Sequence, residues 1–285
     1  MTHQTNVQLE GSRAPKEYWE CLWETGSLPP PIDVRDRSLK SLKYHANLQF
    51  ASLFKTIFDG PKNPDIPLSL IELGCARSVW LPYFAKEHGF RVTGIDYSSL
   101  GCEQARAILA REGTDGEVIL GDIFQPPLHL LNSFDYIVSF GVVEHFVATE
   151  QCLRACGRFL KVRGQMLTVI PNMNGLVGLL QKWLGREVYD VHVPLDEKAL
   201  RRAHEGAGLN VLRCEYFCFS HFGVLNLDRR RQSLVGLWLS RALVASSALI
   251  WLLERAGAKL PANKVTSPYI ICVSEKQSPS EKFVE

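Results

Sequence analysis

The sequence predicts an α/β protein whose central sheet is doubly wound, mostly parallel and seven-stranded. From residue 68 onward, short apolar runs alternate with helical stretches of about ten residues, as in repeated strand–helix–strand units. Segments such as 136–138 are apolar almost without interruption, which is typical of strands covered on both faces. With 285 residues, 46% of them hydrophobic, the chain can form a large core without metals or disulfides.

The spacing of apolar residues assigns the elements in order. Apolar runs of strand length occupy residues 68–73, 91–95, 117–120, 134–140, 165–170, 209–219 and 268–274. Apolar residues at helical spacing occupy 38–58, 79–88, 101–112, 149–161, 194–207 and 233–255. Gly74, Asp96 and Pro171 directly follow three of the predicted strands and support those boundaries.

The order of these elements predicts three regions. Residues 1–60 form a helical arm or lid, whose aromatic residues Tyr18, Trp19 and Trp23 are expected to pack on the domain that follows. Residues 61–275 form the α/β domain, with an apolar cap inserted at 171–193 and a long apolar helix inserted at 225–266. Residues 276–285 are expected to form a flexible tail.

Charge and cysteine spacing indicate the expected partners and compartment. The formal net charge of +2 gives no electrostatic reason to expect a nucleic acid partner. The polar residues 1–8 lack a secretory signal, which predicts residence in the cytoplasm. Among the eight cysteines, two pairs lie four positions apart, and neither pair has the spacing of a zinc site. The sequence therefore predicts buried thiols and no bound metal.

Acidic and small residues follow the first three predicted strands. Glu72 and Gly74 stand at the end of the first, where a small-residue turn lets a ligand approach the backbone and a helix N-terminus. Asp96 closes the second strand, where a carboxylate can accept hydrogen bonds from both hydroxyls of a ribose. Asp122 follows the third strand and can accept from an adenine amino group. Since these strand ends meet at one edge of the sheet, they predict a nucleoside site.

The ordered series Glu-x-Gly-Cys, Asp, Gly-Asp and Gly-x-x-Glu-His at successive strand ends resembles the class I S-adenosylmethionine-dependent methyltransferase family, over about residues 68–170. The resemblance implies a Rossmann-like methyltransferase fold and S-adenosyl-L-methionine as cofactor. It also implies the cofactor contacts: Glu72, Gly74 and Cys75 at the methionine part, Asp96 at the ribose, Tyr97 against the adenine, Asp122 and Ile123 at the adenine edge, and Ser139, Phe140 and Gly141 beside the methyl donor.

Two positions depart from the family's pattern. Ala76 stands where the family commonly has a second glycine, and its methyl group is small enough for binding with a slightly shifted loop. Arg77 has two open roles, contact with the cofactor carboxylate or exposure to solvent. The same stretch argues against a nicotinamide dehydrogenase, whose motif would need glycines in place of Ala76 and Val79.

Candidate catalytic residues follow the fourth and fifth strands. Methyl transfer to oxygen or nitrogen usually needs a proton removed, and histidine titrates near neutral pH. His145 and His192 are therefore candidate bases; the alternatives are a brace for the cofactor loop and an ordinary loop histidine, respectively. Asn172 and Asn174 are candidates for substrate binding or for simple turn formation.

The segment 233–255 is apolar almost all round. Ser233, Ser240, Ser247 and Glu254 recur every seven residues as one thin polar stripe, and three arginines occupy 229–231. This pattern suits a peripheral membrane helix, while burial in the core or in a homodimer interface is the alternative. Arg241 in the middle of the segment argues against a membrane span.

Together these features predict an enzyme that methylates oxygen or nitrogen of a small-molecule or lipid- or glycan-linked acceptor. A second resemblance, to bacterial methyltransferases of glycan and secondary-metabolite pathways, rests on the Pro171-Asn172 loop and the His192 segment. The alternatives are a non-catalytic protein that keeps the fold to bind the cofactor or a partner, and a methyltransferase of RNA or protein. The sequence has neither Asn-Pro-Pro-Tyr after the fourth strand nor a basic appended domain, which argues against the last.

Overall fold

A computed structural model describes residues 11–24, 27–36, 44–59, 66–225 and 234–278. Its centre is a seven-stranded sheet in the order β3-β2-β1-β4-β5-β7-β6, and β7 runs antiparallel to both of its neighbours. The other paired strands are parallel, which confirms the predicted fold class. The strands are β1 (Ser69–Leu73), β2 (Arg91–Asp96), β3 (Glu117–Leu120), β4 (Phe134–Phe140), β5 (Leu160–Pro171), β6 (Leu209–Phe217) and β7 (Tyr269–Lys276).

Helices cover both faces of this sheet. They are α1 (Lys16–Glu24), α2 (His45–Ile57), α3 (Trp80–His88), α4 (Ser99–Arg111), α5 (Thr149–Gly157), α6 (Leu176–Leu184), α7 (Arg186–Asp190), α8 (Glu197–Gly206) and α9 (Leu234–Arg255). On β4, Ile137 lies in the core beneath α5 and α8, and the next residue, Val138, lies in the core beneath α2, α3 and α4. Successive strand side chains point to opposite faces, so both must be apolar.

Several boundaries differ from the sequence prediction. The helix predicted for 149–161 ends at Gly157, because the following apolar residues pair as strand β5 with β4 from Leu160 onward. Helix α8 begins at Glu197 rather than 194, where the Asp196 side chain accepts a hydrogen bond from the Ala199 amide. The predicted flexible tail included Lys276, yet this residue ends β7 and its Nζ donates to the carbonyl groups of Gly157 and Leu160.

Helix α9 turns its polar stripe towards the protein. Ser247 is buried and accepts from the Phe222 amide, and Glu254 accepts hydrogen bonds from His45 and Gln49 on α2. Trp251 is also buried, and its Nε1 donates to the Ser220 carbonyl. Three apolar side chains of α9 are largely exposed instead: Trp238 (68%), Leu249 (62%) and Leu253 (50%).

Part of the predicted pattern around α9 falls outside the described residues. This applies to Ser233, to the arginines at 229–231 and to the side chain of Ser240. Residues 38–43 of the predicted helix 38–58 are also outside, and α2 is described from His45 onward. Within the described helices, none combines the length and the hydropathy of a membrane span.

Candidate active site

The loop after β1 is held in place by the end of β2. Gly74 has φ +74°, and a Cβ at this position would collide with Val142. The amide of Ala76 donates to Asp96 Oδ2 at 3.0 Å, and the amide of Ser98 donates to Asp96 Oδ1 at 2.8 Å. Asp96 therefore orders the loop, and it also lines the cavity in which a ligand can reach it.

Glu72 is held by a serine that sequence reasoning did not select. Ser78 Oγ donates to Glu72 Oε2 at 2.5 Å and accepts from the amides of Trp80 and Leu81 at 3.1 and 3.2 Å. The same hydroxyl thus orients the carboxylate and satisfies the first amide groups of α3. A serine just before a predicted helix was the signal in the sequence that could have identified it.

A cavity of about 270 Å³ lies at the carboxyl ends of β1, β2, β3 and β4. Eight of the ten residues predicted along the cofactor line it: Glu72, Gly74, Asp96, Tyr97, Asp122, Ile123, Phe140 and Gly141. Asp122 accepts from the Phe124 amide through Oδ1, which leaves Oδ2 for a ligand. Asp96 and Asp122 place carboxylates at the positions expected for the ribose and the adenine, and the turn at Gly74 has no room for a Cβ. These features fit S-adenosylmethionine.

Two residues predicted along the cofactor are placed elsewhere. Cys75 is fully buried, and its Sγ lies close to Gly94 on β2, so the thiol packs beneath the loop and does not line the cavity. Ser139 is also fully buried and lies outside both cavities described here. Strand alternation explains Ser139, because its neighbour Phe140 takes the face that reaches the cavity.

Helix α1 covers this cavity. Trp19 and Trp23 stack at 5.8 Å between ring centroids, and both line the cavity wall. Arg77 donates to the Ser27 carbonyl at 2.5 Å and lies 5.8 Å from the Trp23 ring, so it binds the arm, a role that neither sequence alternative included. The Ser99 amide donates to Glu20 on α1.

A second cavity, of about 420 Å³, adjoins the first. The two share part of their lining: Trp19, Trp80, Phe140, Gly141 and His145. Sequence reasoning missed Phe50 and Tyr269, which also line the second cavity, because they come from distant elements. The Asn172 side chain instead donates to the carbonyls of Lys264 and Ser267, and Asn174 donates to Pro194, so both tie loops together.

Both predicted histidines line the second cavity. Their rings are 4.6 Å apart, and the His145 ring meets Trp19 edge to face at 5.0 Å. Burial, with a smaller contribution from His192, lowers the pKa of His145 to about 3 against the opposing effect of the Val191 and Gly141 carbonyl groups. Burial also lowers the pKa of His192. Both imidazoles are therefore neutral at physiological pH.

We expect cofactor affinity to rise with pH through Glu72. Burial raises the pKa of this carboxyl to about 8, although the hydrogen bond from Ser78 acts in the opposite direction. A ligand ammonium beside Glu72 would favour the carboxylate, so binding would release a proton and affinity would increase up to about pH 8. Calorimetric titration with S-adenosylhomocysteine between pH 6.5 and 8.5 measures this.

The matched control for this prediction is Glu72→Gln, which keeps the hydrogen-bonding shape and removes the titration. It should show weaker binding with little pH dependence over the same range. A flat profile for the unaltered chain, or an equal slope for Glu72→Gln, would contradict the placement of an ammonium group at this carboxylate.

Comparison with known proteins identifies the domain. Residues 71–168 match the family model described as a methyltransferase domain. This segment contains the end of β1, all of β2 to β4, most of β5 and every strand end that borders the first cavity. This segment of the chain is therefore a methyltransferase domain, with the Rossmann-like fold of class I methyltransferases.

Particular proteins resemble the chain to different extents. The solved geranyl diphosphate C-methyltransferase of Streptomyces coelicolor A3(2), in complex with Mg²⁺, geranyl diphosphate and S-adenosyl-L-homocysteine, has a TM-score of 0.58 at 15% identity, covering 92% of this chain and 97% of that one. Phosphoethanolamine N-methyltransferase 2 of Haemonchus contortus, in complex with S-adenosyl-L-methionine, has a TM-score of 0.55 at 16% identity, covering 87% and 60%.

A curated relative matches over a shorter stretch. The ribosomal RNA small subunit methyltransferase C of Aeromonas hydrophila is 31% identical over 115 residues, 38% of this chain. That match spans only about a third of the relative's length (32%). The shared stretch therefore concerns the methyltransferase domain and leaves the acceptor open.

Proposed function

We propose that this protein transfers a methyl group from S-adenosylmethionine to an oxygen or nitrogen atom of a small, largely apolar acceptor, free or lipid- or glycan-linked. The observation that carries the proposal is the contact between the two cavities, which share the wall formed by Trp19, Trp80, Phe140, Gly141 and His145. The first cavity has the acidic strand ends that suit the cofactor, and the second offers an adjoining space for the acceptor.

The residues of the chain would act mainly by positioning. When bound, S-adenosylmethionine supplies an electrophilic methyl group on a sulfonium. Asp96 and Asp122 would hold its nucleoside, Glu72 its ammonium group, and Phe140 and Gly141 would border the reacting end. Alignment of two reactants in adjoining cavities can contribute about 7–11 kcal/mol to the lowering of a barrier. His145 and His192 stand on the acceptor side, where a proton must leave.

The lining of the second cavity supports an apolar acceptor. Phe50, Trp80, Phe140 and Tyr269 surround it, and aromatic rings contribute large apolar contact areas. Both solved neighbours described above carry names that specify small-molecule substrates, geranyl diphosphate and phosphoethanolamine. These names support a small-molecule acceptor over RNA, which the short match to the ribosomal RNA enzyme would favour.

The test supplies S-adenosylmethionine with a deuterated methyl group together with a lipid extract, a polar metabolite extract or total RNA. Mass spectrometry should find the label in the lipid or metabolite fraction, and Asp96→Ala should abolish most of it. Label in RNA alone would overturn the proposal in favour of a macromolecular acceptor. Binding of S-adenosylhomocysteine without transfer to any fraction would favour a non-catalytic protein.

We further propose that α9 contacts a membrane surface. Exposed apolar patches of this kind are rare on monomeric proteins, and Arg241 lies 5.8 Å from the exposed Trp238 ring. Helix α6, which packs near α9, also exposes Leu179 and Trp183. Basic residues near an anionic surface contribute about 1 kcal/mol each, so the chain should sediment with anionic vesicles and less so at high salt.

Two variants distinguish the exposed side of α9 from its buried side. The triple variant Trp238→Ser, Leu249→Ser and Leu253→Ser should lose vesicle binding at an unchanged melting temperature. Trp251→Ala, on the buried side of the same helix, should lose about 3–5 kcal/mol of stability. Absence of vesicle binding by the unaltered chain would contradict the membrane contact. If the unaltered chain instead forms a dimer and the triple variant does not, the exposed face of α9 contacts a second copy of the chain.

A further inference from the structure

Three buried side chains meet on the acceptor side of the cavities. Glu144 and His145 belong to a short 3-10 turn after β4, and His192 follows α7, 47 positions later than His145. Each of the three offers one ligand atom, and these atoms all lie within 4.8 Å of one another. All three residues are buried, and all three line the second cavity.

The backbone around these residues is held together by hydrogen bonds. The Val193 amide donates to the Glu144 carbonyl at 2.7 Å, which joins the two segments. Arg13 of the N-terminal arm donates its amide to the His145 carbonyl at 2.7 Å and its Nη1 to the His192 carbonyl at 2.8 Å. These hydrogen bonds therefore hold the backbone of the two segments together without using the side-chain atoms of Glu144, His145 or His192.

The hydrogen bonds of the two imidazoles define their tautomers. His145 Nδ1 lies 2.8 Å from the Val191 carbonyl oxygen, and His192 Nδ1 lies 2.6 Å from that of Val188. A carbonyl only accepts, so each Nδ1 carries the proton and each Nε2 keeps its lone pair. Metal-binding histidines are commonly oriented in this way, by a carbonyl or carboxylate on the other ring nitrogen.

Glu144 lacks any compensation for its burial. It is 1% exposed, and among the described residues neither carboxylate oxygen has a hydrogen-bond partner. An isolated carboxylate in such a place is strongly disfavoured unless a proton or a cation neutralises it. The Nε2 lone pairs of His145 and His192 and the carboxylate of Glu144 therefore form one group of potential metal ligands.

We propose that Glu144, His145 and His192 bind one divalent transition-metal ion, such as Zn²⁺ or Mn²⁺, whose open positions face the acceptor cavity. Two imidazoles and one carboxylate form a ligand set known for catalytic zinc, which keeps a further position for water or substrate. Resting on the proposed function, the ion would bind an oxygen atom of the acceptor. This departs from the absence of metal that cysteine spacing predicted, because spacing along the chain does not reveal ligands from separate segments.

A bound ion would occupy the two Nε2 lone pairs. It would then replace the histidines as the group that makes the acceptor reactive, since a cation lowers the pKa of a hydroxyl bound to it. The general-base and metal accounts therefore differ in one measurable respect, the dependence of turnover on metal.

The experiment strips the full chain with a chelator and titrates it calorimetrically with Zn²⁺ or Mn²⁺ alone. We expect one equivalent to bind, and Glu144→Gln and His192→Ala each to weaken binding at least tenfold. The matched control is His221→Ala, which alters a partly buried histidine of the same cavity outside the cluster and should bind metal unchanged. Glu144→Gln should also fold without metal, because it replaces a buried carboxylate with a neutral group of the same shape.

The outcomes separate this proposal from the function on which it rests. No stoichiometric binding to the unaltered chain, or binding that persists in both cluster variants, would overturn the metal site. If S-adenosylhomocysteine binding and methyl transfer then continue in chelator, the proposed function stands without the metal. If S-adenosylhomocysteine fails to bind while metal does, the proposed function fails and the ion site remains.

Discussion

Replacing Asp96 with alanine is expected to weaken the binding of S-adenosylhomocysteine about ten- to a hundredfold. Hydrogen bonds to a charged group contribute about 1.5–3 kcal/mol, and each 1.4 kcal/mol changes a dissociation constant about tenfold. The variant would lose the carboxylate at the ribose position and also the acceptor of the Ala76 and Ser98 amides that order the loop. Calorimetric titration of the purified variant measures the effect.

Asp135→Asn is the matched control for Asp96→Ala. Asp135 is also an aspartate of a parallel strand, but it lies near the start of β4, where it pairs with Lys161 and accepts from the Ser69 amide. Its loss should lower stability and leave the affinity for S-adenosylhomocysteine unchanged. A folded Asp96→Ala variant with unaltered affinity would refute the ribose assignment.

Substitution of His145 or His192 by alanine is expected to lower turnover about 10²- to 10⁴-fold, the range typical for loss of a base that removes a proton. The cofactor affinity should change little, since the substitutions leave Glu72, Asp96 and Asp122, the carboxylates expected to hold the cofactor, unaltered. Single-turnover measurement with the identified acceptor separates the transfer step from binding. If turnover of the unaltered chain depends on added metal, and the residual turnover of these variants does not, the result would favour the cation over a general base.

His204→Ala is the matched control for the two histidine variants. His204 is fully buried and hydrogen-bonded to Ser274, and it lies outside both cavities described here. Its replacement should reduce stability while turnover per folded molecule stays the same. If the His145 and His192 variants both keep full turnover, neither residue takes part and the proton leaves by another route.

The fold and the cofactor side of the site were predictable from local sequence. Strands buried on both faces are largely apolar on both faces, so the run 136–138 of β4 stands out. Ligands of parallel sheets bind beyond the carboxyl ends of the strands, so the acids that follow β2 and β3 indicated one site before their distances were known. Side-chain direction was less predictable, as Cys75 demonstrates: its position in the loop matched the family, but its thiol faces the core.

The sequence by itself determined the order of strands and helices, the glycine turn at Gly74 and the acids at the strand ends, because each depends on neighbours along the chain. Only the tertiary structure decided which distant segments meet. It brought His192 to Glu144 and His145, and it turned Ser247 and Glu254 of α9 inward against Phe222 and α2. The physical reason is that periodicity defines which residues share a face, while packing against other elements decides whether that face is buried or exposed.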